Sequence, residues 1–118
     1  MSRERIIVGR LWLRLILESN LFPDIERPVR PLDTCLIVAV GLADLEGRPM
    51  TAHKVAGAVS QPRATVVRRL SRLMRQGVLT QDEGQRFHLT TALFEGRLPL
   101  IKRFVAWVIS AADELKQP

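Results

Sequence analysis

The middle of the chain has the clearest segregation of apolar and polar positions. Ala52, Val55, Ala56 and Val59 recur at i, i+3, i+4 and i+7, which predicts a short helix burying a narrow face, with Thr51 ahead of it as N-cap. Ser60-Gln61-Pro62 ends that helix, because the residue before a proline is pushed out of the helical region while Pro62 suits the first position of a new one. The new helix is expected from Pro62 to Gln76. At about 100° per residue, Val66, Val67, Leu70, Leu73 and Met74 fall within an arc of roughly 120°, a core-facing stripe. Thr65, Arg68, Arg69, Arg72, Arg75 and Gln76 occupy the opposite arc; Gln61 projects to the same polar side and Arg63 lies nearer the apolar one. Gly77 closes the helix as a C-cap.

Beyond Gly77 the period shortens to two. Val78-Leu79-Thr80 and Arg86-Phe87-His88-Leu89-Thr90 read as strands flanking Gln81-Asp82-Glu83-Gly84-Gln85, where Gly84 is suited to the positive φ of a hairpin turn. A lone hairpin is marginal in water, so Leu79, Phe87 and Leu89 must pack it against the helices.

The two ends of the chain are apolar on nearly every face. Ser2 to Ser19 predicts a helix capped by Ser2, with Ile6, Ile7, Val8, Leu11, Trp12, Leu13, Leu15, Ile16 and Leu17 spread around most of its circumference. Leu100, Ile101, Phe104, Val105, Trp107, Val108 and Ile109 do the same on a C-terminal helix ending near Lys116. One core cannot cover both, so the helices are expected to bury against each other and against a second copy. Ile7, Leu11, Trp12, Leu15, Ile101, Phe104, Val105 and Val108 are the expected homodimer interface. Pro23, Pro28 and Pro31 mark a non-helical connector. Arg10 and Arg14 interrupt the first apolar stretch and Lys102 and Arg103 the second, so neither reads as a signal peptide or a membrane span.

Charge changes the picture more than composition does. The 118 residues fit one domain, and a single cysteine excludes a disulfide framework, which points to a reducing, cytoplasmic setting. The net charge of +6 is unevenly placed: Gly47 to Gln81 holds Arg48, Lys54, Arg63, Arg68, Arg69, Arg72 and Arg75 with no Asp or Glu, and the rest of the chain is close to neutral. An acid-free basic block of this length fits a polyanionic partner, with a solvated face or an acidic protein partner as the alternatives.

The run TAHKVAGAVSQPRATVVRRLSRLMRQGVLTQDEGQRFHLT, Thr51 to Thr90, sets two short helices, the second basic, directly before a hairpin. It resembles the winged helix-turn-helix domain. The whole layout is most like the MarR-type bacterial transcriptional regulators, in which helices before and after that domain form a dimer. The resemblance implies a mainly α fold with a small β-hairpin wing: residues 1–31 an N-terminal dimerisation helix and connector, 32–92 the DNA-binding domain, and 93–118 a C-terminal dimerisation helix. Leu32 to Leu45 is then the domain's first helix, with Asp33 as candidate N-cap and Gly47 just past its end. It also implies double-stranded DNA as the partner, read by the helix Pro62 to Gln76 in the major groove of an inverted repeat by a homodimeric repressor. Gln61, Thr65, Arg68 and Arg69, with Arg63 beside them, become candidate base or phosphate contacts; Arg72 and Arg75 meet phosphate; Arg86 in the wing takes the minor groove or backbone; Thr51 and Lys54 touch phosphate. A guanidinium fork matches guanine O6 and N7, and Gln or Thr can reach adenine or backbone oxygens. The resemblance leaves room for a small-molecule effector that the sequence does not name.

Other chemistry is not expected. His53 and His88 have no partners at metal-ligand spacing, and no cofactor motif is present. Cys35, among Leu36, Ile37 and Val38, reads as a buried, inert core thiol. Without a phosphate loop or a nucleophile-base arrangement an enzyme is not expected. The competing reading is a winged-helix module docking an acidic partner in a larger complex; RNA binding is disfavoured by the scarcity of aromatics for stacking.

Overall fold

The computed structural model of the chain describes residues 2–17, 31–96 and 98–118. Pro23 and Pro28 of the expected connector, and Ser19 at the end of the first expected helix, lie outside them. The described chain is mainly helical with one small antiparallel hairpin: α1 (Ser2–Leu17), α2 (Pro31–Leu45), α3 (Ala52–Val59), α4 (Arg63–Arg75), β1 (Leu79–Gln81), β2 (Phe87–Leu89), α5 (Thr91–Gly96) and α6 (Leu98–Lys116). None of the described helices is long and apolar enough to cross a membrane. Two compact units result, one holding α1 and α6 and the other α2 through β2, with the boundary between Phe94 and Glu95 inside α5.

In the first unit α1 and α6 run antiparallel. The Arg3 guanidinium donates to the carbonyls of Glu114 and Gln117, which places a cation on the negative end of α6. Further along, Arg14 lies over the Trp107 ring at 5.5 Å and Phe104 packs against that ring at 5.3 Å. Ile7 is buried, and Leu11 and Phe104 are half-buried. Ile7 therefore leaves the expected intermolecular set, because the intrachain pairing consumes it. Ser2 is the first residue of α1 and not a cap ahead of it.

The second unit is built on α2. Leu36, Ile37 and Val40 of α2, Val55 of α3, Val66, Leu70 and Leu73 of α4, and Leu79 of β1 are fully buried together with Phe87 of β2. Gly41 lets α2 approach the hairpin closely: a Cβ there would lie 2.7 Å from Leu89 Cδ1. The other side of α2 is exposed, and it carries Cys35, Val38, Leu42 and Leu45. Cys35 is therefore not the buried thiol expected. α2 is apolar all round, and its tertiary partners, not its wheel, decide which side turns in.

Three helices here end in the same hydrogen-bonded turn, in which a left-handed residue lets two amides reach back to the last carbonyls. Gly47 (φ 73°) serves α2, with Arg48 N–H donating to Ala43 at 2.9 Å, and Gly77 (φ 75°) serves α4, with Val78 N–H donating to Leu73 at 3.0 Å. After α3 the residue is Ser60 (φ 54°), with Gln61 N–H donating to Ala56 at 3.1 Å. A serine thus takes the place that glycine holds in the other two turns, and it fixes the angle at which α4 leaves α3. Pro62 sits just ahead of α4 as its N-cap residue, one position earlier than expected.

The hairpin pairs Leu79 with Leu89, Thr80 with His88 and Gln81 with Phe87. Its positive φ belongs to Gln85 (φ 61°) and not to Gly84. A Cβ on Gly84 would sit 2.9 Å from an Arg86 guanidinium nitrogen, the far end of an exposed side chain that can turn aside. A third extended segment joins it, because Thr51 bridges Arg86 and Phe87 N–H donates to the Met50 carbonyl at 2.9 Å. Thr51 thereby holds the N-cap position of α3 without a side-chain capping bond, its backbone being tied to the hairpin.

Candidate nucleic-acid interface

The buried stripe of α4 fixes which side chains face outward. Val66, Leu70 and Leu73 are fully buried and Met74 half-buried, whereas Val67, at the edge of the expected arc, is 40% exposed. Opposite them Arg68 and Arg75 are exposed and Thr65 and Arg72 half-buried; Gln61 and Arg63 are exposed at the turn into the helix. Arg63 therefore stands in solvent and not beside the core. Lys54 is exposed on α3, and Arg86 is exposed on the hairpin, where the bridge to Thr51 holds its backbone against the start of α3.

None of Lys54, Arg63, Arg68, Arg72, Arg75 or Arg86 forms an ion pair with any described residue. Ordinary helix surfaces satisfy part of their charge with neighbours three or four residues away. Here α3 and α4 contain no acid at all, so the cations on them add to one positive surface.

Arg69 is the exception among the expected contacts. Its Nη1 lies 3.4 Å from both carboxylate oxygens of Asp33, and its side chain is only 14% exposed against 3% for Asp33. The helical wheel places Arg69 on the polar arc, but its long side chain bends to a carboxylate in the first turn of α2. Asp33 is accordingly not the N-cap of α2, which begins at Pro31; it is a buried anion that receives α4. Arg69 is a strut between helices and not an outward contact.

A second constellation escaped sequence reasoning. His88 of β2 has Nδ1 2.8 Å from Asp44 Oδ1 on α2 and Nε2 2.8 Å from Asp82 Oδ2 at the start of the hairpin turn. A carboxylate only accepts, and a neutral imidazole carries one N–H, so both contacts are hydrogen bonds only when the ring is protonated. Asp82 first and Asp44 second raise the His88 pKa from its usual value near 6.5, and burial opposes them. His88 in turn, followed by the Arg86 backbone N–H donating to Asp82 Oδ1 at 3.0 Å, lowers the Asp82 carboxyl. When protonated, the ring offsets the charge of Asp82 at the hairpin tip. Asp82 engages the backbone of Arg86 and leaves its guanidinium alone. A charged residue two positions before a glycine, and a histidine six residues on, carried no readable signal; the third member, Asp44, is 44 residues from His88.

The described residues hold no group of three or more His, Cys, Asp or Glu arranged to bind a metal ion. No protein-family model matches the chain, and no curated protein matches it.

Proposed function

We propose that the protein is a sequence-specific, double-stranded DNA-binding transcriptional regulator of the winged helix-turn-helix type, most like the MarR-type repressors in layout, acting as a homodimer on an inverted repeat. The observation that carries this reading is the set of cations on α3 and α4 that form no ion pair with any described residue, opposite the buried stripe that fixes the orientation of α4. In the proposed complex α4 lies in the major groove with Gln61, Thr65 and Arg68 toward base edges. Arg72, Arg75 and Lys54 neutralise phosphates, and the hairpin serves as the wing that presents Arg86. Arg69 holds α4 in place.

The test is selection of bound duplexes from a random pool, followed by fluorescence-anisotropy titrations over a range of salt. A symmetric site should be enriched, and log K should fall linearly with log salt. Arg68→Ala is expected to cost about 1–3 kcal/mol and to relax specificity, while Arg72→Ala lowers affinity for all sequences and reduces the salt slope by about 1. Equal affinity of wild type and both variants refutes the reading. Failure to bind any duplex, with retention on an immobilised acidic peptide, replaces it with a protein-docking module.

A further inference from the structure

His88 joins two elements through one ring. Its Nδ1 faces Asp44 Oδ1 near the end of α2, and its Nε2 faces Asp82 Oδ2 at the start of the hairpin turn, both at 2.8 Å. No other charged side chain among the described residues pairs with the ring. β1 sets the uncharged Thr80 opposite His88. On α2 the remaining acid, Asp33, is engaged by Arg69, and Glu46, just past the helix, is exposed. In the turn Glu83 and Arg86 are exposed; Thr51, bridged to Arg86, leads into α3, whose His53 and Lys54 are exposed as well. The two carboxylates therefore govern the ring.

We propose that duplex binding by this protein is linked to a proton on His88, which tethers the hairpin to α2 and cancels the charge of Asp82 beside Arg86. The inference rests on the DNA-binding reading above and assigns it a regulatory ligand, the proton. A neutral imidazole has a single N–H, so its other nitrogen points a lone pair at a carboxylate oxygen 2.8 Å away, and one of the two contacts must open. Asp44 is fixed in a helix whereas Asp82 lies in an exposed turn, so the hairpin side gives way. Asp82 stays close to Arg86 in either state, because its Oδ1 accepts the Arg86 backbone N–H at 3.0 Å. Deprotonation thus leaves an uncompensated anion next to the hairpin's only arginine, the side chain proposed to meet phosphate. Phosphates favour the protonated ring, so its pKa rises further in the complex; affinity is full at low pH and falls as pH climbs from the free value toward that of the complex. Asp82 and Asp44 already raise the free value above the usual 6.5, which carries the protonated form to higher pH than an ordinary histidine.

Fluorescence-anisotropy titrations of the full chain test it, with the duplex selected from the random pool at about pH 6 as probe and a range from about pH 5.5 to about pH 8.5. Wild type is expected to bind about tenfold more weakly at the alkaline end if the duplex raises the ring's pKa by about one unit, with a salt slope shallower there by about 0.9. Calorimetry in buffers of different ionisation enthalpy should register proton uptake on binding near neutral pH. His88→Gln is expected to bind with the alkaline affinity of wild type at every pH, and His53→Gln to keep the wild-type profile. Asp82→Asn retains an oxygen for the Arg86 N–H but removes the charge, so it is expected to bind more tightly than wild type at the alkaline end, where loss of a purely structural clamp would weaken binding. The proposal is overturned by a wild-type affinity that ignores pH without proton uptake, by a profile that persists in His88→Gln and vanishes in His53→Gln, or by Asp82→Asn binding more weakly than wild type at the alkaline end. Duplex binding that ignores pH leaves the DNA reading standing, whereas no binding at any pH removes both.

Discussion

Arg69→Ala is the substitution that best separates structural from recognition arginines on α4. It removes the guanidinium from Asp33, whose carboxylate is 3% exposed and has no other hydrogen-bond donor among the described residues. Breaking a buried ion pair by deleting one partner costs about 3–5 kcal/mol when the geometry is close. Here both separations are 3.4 Å, Arg69 keeps 14% exposure, and Asp33 stands in the first turn of α2 where the helix dipole favours an anion. Those three features reduce the expected loss to about 2 kcal/mol, which lowers the melting temperature of a domain this size by roughly 10 °C. Urea unfolding followed by circular dichroism measures it directly. Arg68→Ala, exposed and unpaired, is expected to stay within about 0.5 kcal/mol of wild type in the same assay. Asp33→Leu combined with Arg69→Met should recover most of the loss, because a buried pair replaced by apolar groups of similar volume leaves no orphaned charge. Wild-type stability in Arg69→Ala, together with a loss of duplex affinity like that of Arg68→Ala, would refute the assignment of Arg69 as a strut.

Two further outcomes follow from the hairpin and from the turn between α3 and α4. The His88 pKa is raised in the folded chain, so the stability it contributes is full below its unfolded value near 6.5 and is lost as pH rises through the higher folded value; the Asp82 carboxyl is lowered, so its contribution is present above 3.8 and fades as pH falls through the lowered value. Thermal unfolding should therefore be most favourable to the native state between those limits. His88→Gln should flatten the alkaline side of the profile, and an NMR titration placing His88 at or below 6.5 would contradict the clamp. Ser60→Gly, at φ 54°, is expected to stabilise the chain by about 0.5–1 kcal/mol, and Ser60→Val to destabilise it by more, as read from urea midpoints.

The amphipathic pattern of α4 was readable because it is local. Val66, Leu70 and Leu73 follow the wheel, and Gly77 marks the end of the helix. What escaped depends on partners distant in the chain. Arg69 is on the polar arc by angle alone, but its side chain is long enough to reach an acid 36 residues upstream. His88 faces two carboxylates that no spacing rule connects to it. On α2 the apolar residues surround the helix, so periodicity could not tell that Ile37 and Val40 turn in while Cys35 and Val38 turn out. The left-handed positions at Ser60 and Gln85 were hidden for a different reason. Non-glycine residues can adopt that conformation at a cost that surrounding hydrogen bonds offset, so the left-handed residue of the hairpin turn is Gln85 and not the adjacent Gly84.

α2 acts as a spacer bar between α4 and the hairpin. Asp33, near its start, receives α4 through Arg69, and Asp44, near its end, receives the hairpin through His88. The two acids are eleven residues apart, about 16 Å of rise and within roughly 20° of three whole turns, so both project from one side of the rod. The distance between the two elements proposed to touch DNA is therefore gauged by the length of a helix that is not itself proposed to touch it. One residue inserted between Asp33 and Asp44 would rotate one anchor by about 100° relative to the other, disconnecting either α4 or the hairpin while altering none of the cations.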